Sequence, residues 1–96
     1  MIVVHMDSYS AVIDGHAGYA EKGNDIVCAA VSVLAQNLVN SIEALTEDDI
    51  QCHFRDGHME IYFKDLSEQG CLLIDSFFIG ICAVQKTYGD AYVKLI

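Results

Sequence analysis

Hydrophobic spacing divides the chain into segments of two different periods. Ile2 to Met6 is a β-rich run, and Tyr9, Ala11 and Ile13 then alternate with Ser10, Val12 and Asp14, which predicts two strands, the second closing at Gly15. From Ile26 to about Leu45 the spacing changes, and Val27, Val31, Leu34, Leu38, Ile42 and Leu45 recur at steps of three and four. That stripe predicts an amphipathic helix. Asp25 stands where its N-cap should be, with a carboxylate able to accept from the N–H of Val27 or Cys28. After an acidic turn over 46–49, Ile50 to Arg55 and His58 to Phe63 read as strands joined by Asp56-Gly57, a two-residue hairpin signal. Leu66 to Tyr88 repeats the helical period through Ile74, Phe77, Ile81, Val84 and Tyr88. Gly89 stops it, and Ala91 to Ile96 can add a last strand.

The order ββαββαβ predicts an α+β fold, a two-layer sandwich with a mixed sheet under two helices. The 96 residues contain no proline, repeat or low-complexity stretch, so residues 1–96 are expected to form one domain. The small residues Cys28, Ala29, Ala30, Ser32 and Ala35 should let the first helix approach the sheet or another helix closely. A chain of this size buries only about 60 to 65% of its unfolded surface, so a homodimer is expected to add stability.

Charge and cysteine content narrow the function. Five Lys and Arg against fourteen Asp and Glu leave a net charge of −9, which repels nucleic acid and anionic membranes and favours a basic polypeptide. MIVVHMDSYS has neither a basic leader region nor a cleavage signal, and the apolar run Cys71 to Gln85 is interrupted by Asp75 and short for a bilayer. A cytoplasmic protein with reduced thiols is therefore expected. Cys28, Cys52, Cys71 and Cys82 show no CxxC spacing, so neither a zinc knuckle nor a redox pair is indicated.

The segment from Gly15 to Cys28 carries the chemistry. It sets His16 at a strand end, then a loop with Gly18 and Gly23, then Cys28 in the first turn of a helix. A thiol reacts as its thiolate, and a helix N-terminus favours an anion, so Cys28 should be acidic. His16 can take its proton and later protonate a departing amine. First-turn N–H groups, that of Cys28 included, can stabilise an oxyanion. The implied reaction is acyl transfer. Asp25 either caps the helix or orients His16, and its charge opposes a low thiol pKa at Cys28. A buried cysteine that only packs is the bland alternative. Cys52, His53 and His58 flank the hairpin, but adjacent residues of a strand face opposite sides, so Cys52 and His53 do not suit one metal ion. Cys52, Cys71 and Cys82 read as core residues, His53 as a surface residue, and His5 has no evident partner.

Gly15-His16-Ala17 and Gly23-Asn24-Asp25-Ile26-Val27-Cys28-Ala29-Ala30-Val31-Ser32 resemble the signature of the ribosomal-processing cysteine protease family, Prp. The resemblance implies a catalytic dyad of His16 and Cys28, a two-layer fold, a homodimer and no cofactor. Its implied substrate is the N-terminal extension of a bacterial large-subunit ribosomal protein. Asp25 and Ser32 fall on signature positions without an assigned role. Two other classes compete: a non-catalytic acidic module that binds a basic segment, and a thiol-dependent redox enzyme using Cys28 alone.

Overall fold

A computed structural model describes residues 1–96. The elements are β1 (Ile2–Met6), β2 (Ser10–Asp14), α1 (Ile26–Leu45), β3 (Ile50–Arg55), β4 (His58–Phe63), α2 (Glu68–Tyr88) and β5 (Val93–Leu95). The sheet runs β3-β4-β2-β1-β5, antiparallel except for the parallel β1–β5 pair. It is mixed, and both helices cover one face, as the element order predicts.

Alternation in the strands assigns the two faces. Ile2, Val4, Ala11, Ile13, Ile61, Phe63 and Val93 point to the helices and are buried, where they meet Val27, Val31, Ala35, Leu38, Ile42, Phe77 and Ile81. The opposite face is uncovered and carries Val12, Asp14, His58, Glu60, Tyr62 and His53 across paired strands.

Three boundaries differ from the expectation. Tyr9 lies outside β2 because the Asp7 carboxylate accepts from the backbone N–H of both Tyr9 and Ser10, closing a turn there. The second helix starts at Glu68, not Leu66, because Ser67 caps it by accepting from the Gly70 N–H at 3.1 Å. The last strand is three residues long, because Asp90–Tyr92 turns back on the Gly89 carbonyl first.

The small-residue contact also moves. Ala35 is buried against the core, but the close helix–helix approach is made by Gly80 of α2, where a Cβ would lie 2.9 Å from the Leu34 side chain. None of the other cysteines is a core residue: Cys52 and Cys71 are exposed and Cys82 is half-buried. Cys52 points to the helix side, but β3 is an edge strand that extends past the cover. Cys71 sits off the inward stripe of α2, which runs through Ile74, Phe77, Ile81, Val84 and Tyr88 as the spacing predicts. By length and composition both helices are long and apolar enough to cross a membrane, α2 despite the single charge of Asp75 within 71–85. In the fold α1 lies along the sheet with Val27, Val31, Ala35, Leu38, Val39 and Ile42 buried.

Candidate active site

The segment between β2 and α1 is fixed from both ends. Gly15 adopts φ +96°, and a Cβ there would strike the Met1 carbonyl oxygen, so glycine alone fits. Its N–H donates to the Gly57 carbonyl at 2.8 Å, tying the strand end to the hairpin turn. Ala17 is buried at 3% exposure, which locks the backbone beside His16. At the other end the Asp25 carboxylate accepts four N–H groups. One oxygen takes Val27 and Cys28, each at 3.0 Å, and the other takes Tyr19 at 3.0 Å and Ala20 at 3.4 Å. Asp25 is thus both N-cap and anchor of the preceding loop, and it makes no contact with His16. That loop is also held by Tyr19, whose ring meets Tyr88 and Tyr92 edge-on at centroid distances of 5.5 and 5.2 Å.

The fold brings His16 and Cys28 to the walls of one groove of about 600 Å³. Cys28, Ala29, Ser32 and Gln36 of α1 form one side, and Phe54 and Met59 of the hairpin face them. The Cys28 Sγ accepts from the Ala17 N–H at 3.2 Å. No hydrogen bond joins it to His16. The His16 ring rests instead on the hairpin turn, with Nε2 4.0 Å from the Asp56 carboxylate. The second oxygen of Asp56 accepts from Lys22 Nζ at 3.0 Å, so the loop is latched to the turn.

Electrostatics revise two expectations. The Cys28 thiol is pushed up, first by burial and then by the Asp25 charge and its bond to that carboxylate, although the Ala17 N–H pulls the other way. The helix terminus does not make it acidic because Asp25 has already neutralised the donors there. For the same reason the Cys28 N–H is not a free oxyanion donor, since it is bonded to Asp25. Asp25 itself is lowered: burial opposes ionisation, but the N–H bonds of Cys28, Tyr19 and Ala20 outweigh it.

The remaining candidates have other partners. His58 Nδ1 meets Asp14 at 3.0 Å and Nε2 meets Glu60 at 3.2 Å, and both bonds, that to Asp14 first, raise its pKa. His53 lies opposite Glu60 on the uncovered face while Cys52 pairs with Ile61 on the other. His5 stands 3.9 Å from Asp7, a weak exposed pair that the sequence reading missed. No three His, Cys, Asp or Glu side chains converge as metal ligands. Sequence reasoning also missed Asp56, because the Asp56-Gly57 turn signal accounted for it already, and Lys22, because its partner lies 34 residues away across the groove.

Comparison with known proteins decides the family. Residues 1–94 match the family described as cysteine protease Prp. The chain belongs to that family. It is a cysteine-type peptidase, a hydrolase. The ribosomal processing cysteine protease Prp of Staphylococcus aureus is 30% identical over 82 residues, covering 82% of this chain and 77% of that protein. The Bacillus subtilis Prp is 25% identical over 83 residues, covering 79% and 74%. Among solved structures, S. aureus Prp with a covalently linked product peptide superposes with a TM-score of 0.89 at 27% identity, over 99% of this chain and 97% of that one. A Streptococcus mutans protein superposes with a TM-score of 0.73 at 33% identity, over 99% and 91%. The fold of the Prp family is therefore that of this chain from end to end.

Proposed function

We propose that this Prp-family protease uses Cys28 as nucleophile and His16 as general base and acid to remove the N-terminal extension of a bacterial large-subunit ribosomal protein. The observation that carries the reading is the shared groove: the Cys28 sulfur and the His16 ring line one cleft, and a backbone N–H is already aimed at the sulfur. The substrate follows from the S. aureus and B. subtilis relatives, both named ribosomal processing proteases, and suits a net charge of −9, since ribosomal proteins are basic.

A peptide lies in the groove, the thiol attacks the scissile carbonyl carbon, and its proton passes to His16 as the C–S bond forms. Because burial and the Asp25 charge disfavour the thiolate, this transfer accompanies attack. The Ala17 N–H, which bonds the sulfur at rest, can turn to the developing oxyanion once the sulfur has attacked. Collapse breaks the C–N bond, and His16 returns the proton to the departing amine. Water, deprotonated by His16, then cleaves the thioester and regenerates the thiol. No cofactor enters these steps.

Two further parts of the reading belong with it. Two copies pair through the outer face of α2, where Leu72 and Ile79 occupy one stripe and are 69% and 68% exposed, with Phe78 beside them. The protease acts in the cytoplasm, where four unpaired cysteines stay reduced. Cleavage of a peptide spanning the ribosomal-protein extension tests the main claim. Cys28→Ala and His16→Ala are each expected to lose at least about a thousandfold in kcat/KM. Cleavage by Cys28→Ala at the wild-type rate overturns it.

A further inference from the structure

Both carboxylates of the groove lie near the candidate dyad, but only one has capacity left. Asp25 is fully engaged by four backbone N–H groups and does not reach His16. Asp56 has one oxygen on Lys22 at 3.0 Å and directs the other toward His16 Nε2 at 4.0 Å. The spacing is not accidental, because the hairpin turn is bolted to the strand end that delivers His16. The Gly15 N–H donates to the Gly57 carbonyl at 2.8 Å, and one step outward Asp14 binds His58 at 3.0 Å. Gly57 supplies the remaining condition, because a Cβ there would stand 2.8 Å from Nε2. The ring lies flush on the turn only because that atom is missing.

We propose that Asp56 is the carboxylate that positions His16, holding Nε2 so that Nδ1 faces the thiol and sustaining the imidazolium formed during attack. The inference rests on the His16 and Cys28 dyad proposed above. In the free enzyme both partners are more than half exposed, at 57% and 68%, so the pair is screened and weak. A peptide lying across the groove excludes water from it, and the same pair then acts at a lower effective dielectric, when the proton has moved to the ring. Lys22 competes for the same carboxylate. The charged and titratable groups facing His16 are Asp56 and Arg55 of the hairpin, His58 beyond the turn, Lys22 of the loop, Asp25 and Cys28 at the head of α1, and the Met1 ammonium, which donates to the His16 carbonyl at 2.6 Å.

Asp56→Asn is the informative variant, because Asn-Gly forms the same two-residue turn and only the charge is lost. It is expected to unfold at the wild-type temperature, to keep KM, and to lose about five- to tenfold in kcat. Its acid limb in the pH profile of kcat should move to lower pH, because the imidazolium has lost its partner and the neutral base persists further down. Asp56→Glu should restore the limb. Lys22→Met removes a competing positive charge, so its limb should stay in place or move to higher pH. If Asp56 merely latched the loop through Lys22, Asp56→Asn and Lys22→Met would move the profile alike, and that result overturns the proposal. An unchanged kcat and profile in Asp56→Asn overturns it as well. In either case loss of activity in His16→Ala keeps the dyad intact, whereas activity in His16→Ala removes the dyad and this inference together.

Discussion

A single missing methyl group at Gly57 shows how closely this site is set by individual residues. Gly57 combines φ +73° with His16 Nε2 2.8 Å from where a Cβ would be, whereas Gly18 has φ +69° and nothing within 4 Å. Gly57→Ala and Gly18→Ala should therefore both lose about 1–2 kcal/mol from left-handed backbone strain, measured by denaturant unfolding. Only Gly57→Ala should also displace the His16 ring and reduce kcat more than tenfold, and equal kinetic losses in the two would contradict the geometry. Residue chemistry was partly legible in the sequence. The cap at Asp25 and the placing of His16 and Cys28 on one groove follow from element boundaries. The ionisation of Cys28 does not, because it depends on whether the first-turn N–H groups are free. Asp25 occupies two of them and adds its own charge, and the thiol is raised.

At the scale of elements, two carboxylate devices hold the site together. Asp25→Ala removes the cap of α1 and the anchor of the loop, and should cost about 1–2 kcal/mol and increase hydrogen exchange at Tyr19 and Ala20. His58 ties β2 to β4 through Asp14, and Glu60 shares it. Because the folded His58 is raised above its ordinary 6.5, its contribution is complete below that pH and is lost as pH rises through the folded value. Asp14 and Glu60 are lowered, so theirs is present above the carboxylate range and is lost as pH falls. Thermal unfolding should be most resistant between those limits, and His58→Gln should flatten the decline on the alkaline side. An unchanged alkaline decline in that variant would show that another group causes it. Strand and helix order was legible because strands and helices carry their own periods and Gly57 and Gly89 punctuate them, whereas the Ser67 cap went unread. The inner stripe of α2 was legible too, since Ile74, Phe77, Ile81, Val84 and Tyr88 all lie in or against the core, but the exposure of Cys71 was not, because Leu72, Phe78 and Ile79 make the outer face equally apolar.

For the whole molecule, acidity and an unpartnered apolar helix face set the expectations. With a net charge of −9, KM for a basic peptide should rise with salt while kcat changes little. Sedimentation should give a dimer, and Ile79→Glu should give a monomer if the outer face of α2 is the interface. The central claim concerns which sulfur attacks, and here accessibility and function make opposite predictions. A generic alkylating reagent favours Cys52 and Cys71, which are exposed, over Cys28, which is half-buried and carries a raised pKa. A substrate peptide carrying an electrophile at the scissile carbonyl, followed by mass mapping of the adduct, reverses that order if the groove works as described. The account predicts one adduct per chain, on Cys28, formed at least about tenfold more slowly in His16→Ala. Adducts spread over Cys52 and Cys71 with Cys28 unmodified would contradict it.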